Sequence, residues 1–280
     1  MSSAYVHGYD PREAGRLQDQ ADTLAAQLHW DSLFPPGSRV LEAGCGVGAQ
    51  TVTLARQNPA SRFVSVDIAP ASVRAAEAAV REAGLTNVEV QQGDILALPF
   101  APGSFDAVFV CFVLEHLADP AAALAGLAAL LRPGGTMTVI EGDHGSTLFH
   151  PDSAAARAAI ACQVELQRRA GGDALIGRRV HPLLAQAGLR DVRVSPRLVY
   201  VDAGRPGLQE GFIRRTFTAM VAGVRGAALE AGLATAEAFD AGIRDLHRTA
   251  ADDGVFCYTF FKGVGVAGGP GQEAAPLIPP

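Results

Sequence analysis

Lysine is almost missing from this 280-residue sequence: Lys262 is the only one among 23 basic residues, and arginine supplies the rest. Schiff-base chemistry therefore has a single candidate, and the arginine- and alanine-rich composition reads as codon bias. Cysteine is sparse too. Residues 45, 111, 162 and 257 form no C-x-x-C pair, so neither a metal site nor a disulfide framework is expected, and a reduced compartment fits. No stretch of about 18 apolar residues runs without a charge or a turn former, and MSSAYVHGYDPREAG lacks the basic start and apolar run of a signal peptide. These absences predict a cytoplasmic protein without a membrane partner. An excess of positive charge is also wanting. A formal net charge of -6 argues against nucleic acid as a partner, and the pairs Arg168-Arg169, Arg178-Arg179 and Arg214-Arg215 read as solvated helix faces.

What the sequence does have is apolar residues, 49% of the chain, enough for one large domain or one domain with a cap. Its centre is Arg39 to Thr51, RVLEAGCGVGAQT. Val40 and Leu41 read as the end of a buried strand and Glu42 as an acid at its carboxyl end. Gly44, Gly46 and Gly48 permit a tight turn into a helix beginning near Ala49. Backbone free of side chains, followed by a helix N-terminus, is a place for a small ligand. Gly44, Gly46 and Ala49 also satisfy the dinucleotide fingerprint, so the turn by itself leaves the ligand open.

Alternation follows. Strands are expected at Val40 to Ala43, Phe63 to Asp67, Val88 to Gln91, Ala107 to Phe112 and Thr136 to Glu141, with helices near 49–57, 70–84 and 119–131 between them. That order predicts parallel strands with helices on both faces and a ligand beyond their carboxyl ends. Beyond Asp143, helices are expected at Pro151 to Ala170, Leu175 to Ala187, Gly207 to Gly232 and Ala236 to Asp252, and strands at Asp191 to Asp202 and Val255 to Val266. Residues 1–38 are expected to form an N-terminal helical lid, 39–267 the main domain with a helical cap at about 204–254, and 268–280 a disordered Gly/Pro-rich tail.

Asp67, at the tip of the second strand in VSVD, is placed to accept hydrogen bonds from both hydroxyls of a ribose, a role shared by NAD enzymes and methyltransferases. In Gly93-Asp94-Ile95 an acid follows the third strand, where it could take the adenine amino hydrogens while Ile68 and Ile95 cover the ring faces. NAD enzymes have no regular need for it. The series LEAGCGVGAQT, SVDIAP, GDILALPF, FDAVFVCFVLEHL and LRPGGTMTVIE resembles the class I S-adenosylmethionine-dependent methyltransferases, specifically the small-molecule group that includes quinone and sterol methylating enzymes. The resemblance covers about 39–143.

By that resemblance S-adenosylmethionine is the cofactor, with Glu42, Gly44, Cys45 and Gly46 around its methionine part. Asp67 would hold the ribose, Ile68, Asp94 and Ile95 the adenine, and Cys111 with Phe112 the edge beside the sulfonium. Glu42 departs from the commoner aspartate. The implied fold is a doubly wound, mostly parallel seven-stranded Rossmann-like α/β sheet whose last strand, Val255 to Val266, runs antiparallel.

Glu141 and His144, in IEGDHGS where the fifth strand should empty into the pocket, are the candidates for contact with the acceptor. Asp143 and Ser146 could equally cap a turn there. Enzymes of this group often fold an N-terminal segment over the cofactor. Gln20 is the cofactor-binding candidate there, beside Arg16, and Tyr5 and Tyr9 would border the substrate. Phe149, Phe212 and Phe217 suggest a small apolar or aromatic acceptor, quinone-like or indole-like, methylated at carbon, nitrogen or oxygen. The apolar cap face could also serve a homodimer. Two other readings stand beside this one: an NAD-dependent oxidoreductase, and a cofactor-binding protein without turnover.

Overall fold

The computed structural model describes residues 23–268. Tyr5, Tyr9, Arg16 and Gln20, most of the expected lid and nearly all of the expected tail lie outside them.

The sequence's apolar runs become strands where they are buried on both faces. β1 (Arg39–Ala43) and β2 (Arg62–Asp67) each begin with an exposed arginine and continue as buried chain. β4 (Phe105–Cys111) is likewise buried through its centre. Such runs suit the interior of a parallel sheet covered by helices on both sides. With β3 (Val88–Gln92), β5 (Leu131–His150), β6 (Arg190–Val201) and β7 (Val255–Val266) they make one seven-stranded sheet in the order β3-β2-β1-β4-β5-β7-β6. β1 pairs in parallel with both β2 and β4, and β7 runs antiparallel to both β5 and β6. The chain winds outward from β1 in one direction and then from β4 in the other. The crevice above β1 and β4 is therefore the switch point at which ligands bind in such sheets.

The helices divide between the two faces. α1 (Ala49–Gln57), residues 23–28 and the aromatic residues of β7 share one core; α3 (Pro120–Ala129) and α5 (Val180–Gln186) cover the other. α2 (Pro70–Glu82) packs beside α1, close enough that a Cβ on Gly48 would meet Ala76 Cα at 2.8 Å. α3 opens with Pro120 and is capped by Asp119, whose side chain accepts from Ala122 N.

Two expectations are corrected. The fifth strand does not stop at Glu141 but runs to His150, because β7 is long enough to pair with it from Thr136↔Val266 to His150↔Val255. The acidic stretch IEGDHGS is thus an irregularity inside a strand, between Asp143 and Leu148, and not a loop leaving the sheet. The helix expected over Gly207 to Gly232 is broken into Pro206–Leu208, a π-helix at Gln209–Thr218, α6 (Ala219–Gly223) and α7 (Arg225–Glu230). Thr216 Oγ1 donates to the carbonyl of Gly211, five residues back, and Gly211 itself sits against Thr23 with no room for a Cβ. Local side-chain bonding and close packing here override helical periodicity.

The cap also draws on a second element. α4 (Ala154–Arg169), which follows β5, packs against α8 (Ala236–Arg248) at Gly242, where a Cβ would lie 2.5 Å from the carbonyl oxygen of Ala155. Ser153 ties the same pair by donating to Asp245. Among the described residues no helix is long and apolar enough to cross a membrane.

Candidate functional site

The glycine turn is shaped by three residues with positive φ: Gly44 at 79°, Gly46 at 53° and Gly48 at 83°. A side chain at any of them would be strained, and at Gly44 it would collide with Val113. The turn is fastened to the neighbouring strand, because the N–H groups of Gly44 and Cys45 both donate to the carbonyl of Val66, at 2.8 and 2.9 Å.

Asp67 at the tip of β2 joins the turn to the next loop. Its Oδ2 accepts from Gly46 N and its Oδ1 from Ala69 N, each at 2.9 Å. Burial raises its carboxyl pKa while those two bonds oppose the shift. Glu42 lies deeper. Its Oε2 accepts from Thr51 Oγ1 at 2.7 Å and Ser65 Oγ at 2.6 Å, and burial pushes the carboxyl up to about 7. Glu42 thus acts from behind the turn, linking α1 and β2. Cys45 is also buried, and its thiol is raised by that burial and by the nearby carboxylates of Glu42 and Asp67.

Beyond Asp67, Ile68 is 51% exposed, a large apolar side chain left uncovered beside a carboxylate. Asp94 Oδ1 accepts from Leu96 N and so shapes its own loop, while Ile95 is half-buried against the sheet. Gly93 N donates to the carbonyl of Asp67, which brings this loop to the same rim. Leu96, 61% exposed, is a second uncovered apolar group there that the sequence did not mark. At the end of β4, Cys111 is half-buried and Phe112 takes a φ of 58°. The residues expected around an adenosyl ligand therefore fall along the carboxyl ends of β1 to β4.

The expected acceptor side differs. Glu141 is 0% exposed, and its Oε1 accepts from Val113 N at 2.9 Å and Leu114 N at 2.7 Å. It caps the short 3-10 helix Leu114–His116 from beneath instead of facing an open pocket. Burial, helped by Glu115, pushes its carboxyl well above the ordinary range. His144 is buried with both ring nitrogens engaged: Nδ1 lies 2.8 Å from Tyr258 Oη and Nε2 lies 3.1 Å from the Gln163 amide. Burial raises the Tyr258 hydroxyl, so it keeps its proton, and the imidazole tautomer sets which of the two donates. Glu141 and His144, expected to contact the acceptor, are both enclosed by the fold.

Phe149, Phe212 and Phe217 are buried in one aromatic cluster with Phe256, Tyr258 and Phe260. It begins at Phe112, whose ring lies 5.3 Å from that of Phe260, and reaches His144 through Phe217 at 5.9 Å. The cap is seated on β7 by these rings, each pair contributing about 0.5–1.5 kcal/mol beyond its buried area. Phe149 stacks on Phe256 at the far end of β5.

Sequence reasoning missed a buried polar knot under residues 23–34. Lys262 Nζ donates to Asp31 Oδ1 at 2.6 Å and Ser32 Oγ at 2.8 Å, Arg197 also pairs with Asp31, and His29 Nε2 lies 2.6 Å from Gln50 Oε1. Its signal was present: a lone lysine in the apolar strand VFCYTFFKGVGV needs an acid when buried. The knot binds the chain before β1 to the start of α1, immediately after the glycine turn.

A parallel switch-point sheet with antiparallel β7, a glycine turn, and an acid at the tip of β2 together define a Rossmann-like methyltransferase fold. Residues 41–139 match the family model described as "Methyltransferase domain", and over that stretch the chain is similar to the S-adenosylmethionine-dependent methyltransferases. An uncharacterized 37.1 kDa protein in transposon TN4556 of Streptomyces fradiae is 35% identical over 221 residues, 76% of this chain and 63% of that protein. A ubiquinone biosynthesis O-methyltransferase of Xanthomonas campestris pv. campestris is 40% identical over 103 residues, 36% of this chain and 42% of that enzyme. Both matches span less than two thirds of the relative's length. Among solved structures, the YcgJ protein from Bacillus subtilis superposes with a TM-score of 0.56 at 17% identity, covering 91% of this chain and 99% of that one, a likeness of fold.

Proposed function

We propose that this protein transfers a methyl group from S-adenosylmethionine to a small apolar or aromatic acceptor. The observation that carries the reading is the bond from Gly46 N to Asp67 Oδ2, which fixes an acid and a side-chain-free turn together at the open ends of β1 and β2 beside uncovered Ile68. A carboxylate there suits a ribose diol, Ile68 with Ile95 suits the faces of adenine, and Asp94 suits its amino group. The N–H groups of the turn and the start of α1 suit the methionine part, with Glu42 setting the turn from behind.

When bound, the cofactor supplies an electrophilic methyl group on a sulfonium. The chain's own work is alignment. Cys111 and Phe112 form the edge at which the methyl group would meet the acceptor, and the aromatic cluster from Phe112 through Phe260 and Tyr258 to Phe212 and Phe217 gives that side an apolar character. Holding two partners in line lowers such a barrier by up to about 7–11 kcal/mol. With Glu141 turned inward and His144 bonded on both nitrogens, an acceptor that ionises in solution or needs no deprotonation fits best. Similarity to a ubiquinone biosynthesis O-methyltransferase supports trying hydroxylated quinone precursors first.

The test is mass spectrometry of phenolic, quinone-precursor and indole acceptors incubated with the protein and methyl-labelled S-adenosylmethionine. A protein-dependent gain of one labelled methyl on an acceptor, with S-adenosylhomocysteine formed in equal amount, is expected. Cofactor binding with no transfer to any member of the panel would favour a binding protein without turnover.

A further inference from the structure

The β4 exit, Cys111 to Leu114, is where the glycine turn, the aromatic cluster and a buried acid meet. Phe112 has a φ of 58°, a left-handed conformation that a bulky L residue keeps only where its surroundings hold it. They do so from several sides. Phe112 N donates to the carbonyl of Ile140 at 3.0 Å, and its ring rests on Phe260. Val113 lies so close to the glycine turn that a Cβ on Gly44 would be 2.4 Å from its Cγ2. The next two N–H groups, of Val113 and Leu114, converge on Glu141 Oε1. From Glu115 the segment continues into the cap, because Gln167 Nε2 donates to the Glu115 carbonyl at 3.0 Å and Asp173 N donates to it at 2.8 Å.

We infer that Glu141 is a positioning residue for the transfer: by gathering the Val113 and Leu114 N–H groups on one oxygen, it sets the β4 exit against the glycine turn and so fixes the gap between cofactor and acceptor. The inference rests on the methyl-transfer reading above. The chemistry of the side chain agrees. Its other oxygen, Oε2, is buried without a hydrogen-bond partner, and the Val113 and Leu114 N–H groups meet on Oε1. Burial pushes the carboxyl well above the ordinary range, and Oε1 is an acceptor in either protonation state. A glutamine preserves that acceptor. A leucine fills the same space and leaves two buried N–H groups unpaired.

The experiment is calorimetric titration with S-adenosylhomocysteine of the full chain, wild type against Glu141→Gln, Glu141→Leu and Val113→Ala, with thermal melting of each followed by circular dichroism. Glutamine is expected to keep the Kd within about 3-fold of wild type, whereas leucine weakens it by about 10-fold or more. Val113→Ala removes the contact between exit and turn without touching the acid. It should weaken binding in the same direction at a near-wild-type melting temperature, and it decides the matter if the leucine variant does not fold. Rescue by glutamine separates this role from loss of a charge. Wild-type affinity in both Glu141→Leu and Val113→Ala, or an equal loss in glutamine and leucine, would overturn the assignment of Glu141 alone. A wild-type protein that does not bind S-adenosylhomocysteine would overturn the transfer reading and this inference with it.

Discussion

Glu42 and His29 are buried ionisable groups displaced in opposite directions. Glu42 is raised from 4.5 to about 7, chiefly by burial, and His29 is lowered from 6.5 to about 4 by the same cause. Glu42 holds its proton more tightly folded than unfolded, so its contribution to stability is full below about pH 4.5 and is lost as pH rises through about 7. His29 holds its proton less tightly when folded. Its contribution is full above about pH 6.5 and is lost as pH falls through about 4. Each amounts to about 3 kcal/mol as an order of magnitude, so between about pH 4.5 and 6.5 the two slopes oppose each other. Glu42→Gln keeps an oxygen for Thr51 and Ser65 and removes one slope. Urea unfolding should show the stability of that variant relative to wild type rising with pH across this window by about 3 kcal/mol, the slope that Glu42 no longer contributes. Parallel pH profiles for the two proteins would contradict the assignment of these shifts.

At the scale of elements, the α4–α8 contact holds the cap together. Gly242→Val would place methyl groups where the carbonyl of Ala155 and the Cβ of Ala159 already are, and overpacking of this kind costs about 1–3 kcal/mol. Limited proteolysis should then cut within 206–248 before it cuts the sheet; simultaneous loss of both would mean that cap and sheet unfold as one unit. A milder test concerns α3: Asp119→Ala removes the acceptor for Ala122 N and should lower stability by about 1 kcal/mol in denaturant unfolding. Elements of regular period were legible from sequence, as Ala49–Gln57 and Val255–Val266 show by matching their expected bounds. The run of β5 past Glu141 was not, because its continuation depends on the length of a partner strand more than a hundred residues later. Nor was the π-helix, whose cause is a threonine bond to a carbonyl and a glycine pressed on Thr23. The fate of Glu141 follows from the same gap: a strand end predicts exposure, and a continuing strand turns the side chain beneath the β4 exit.

Over the whole molecule, the half proposed to bind the cofactor and the half proposed to select the acceptor differ in how plainly they are written. The binding half uses backbone geometry, glycines at positive φ and an acid at a strand tip, and such requirements leave residue types that stand out in order along 41–139. The selecting half is built from phenylalanines and a tyrosine packed on one another, and an aromatic core and an aromatic pocket wall use the same residues. The lone lysine was visible, but its partner Asp31 became evident only once β7 lay beside the segment before β1. The central claim is that the crevice at the carboxyl ends of β1, β2 and β4 is an adenosyl-sulfonium site anchored by Asp67. Isothermal titration of wild type and Asp67→Ala with S-adenosylhomocysteine and with NADH tests it most directly. Saturable binding of S-adenosylhomocysteine is expected, with none of NADH and a loss of about 10- to 150-fold on removing the carboxylate, the worth of hydrogen bonds to a charged group. Binding of NADH in preference, or an affinity for S-adenosylhomocysteine that Asp67→Ala leaves unchanged, would contradict it.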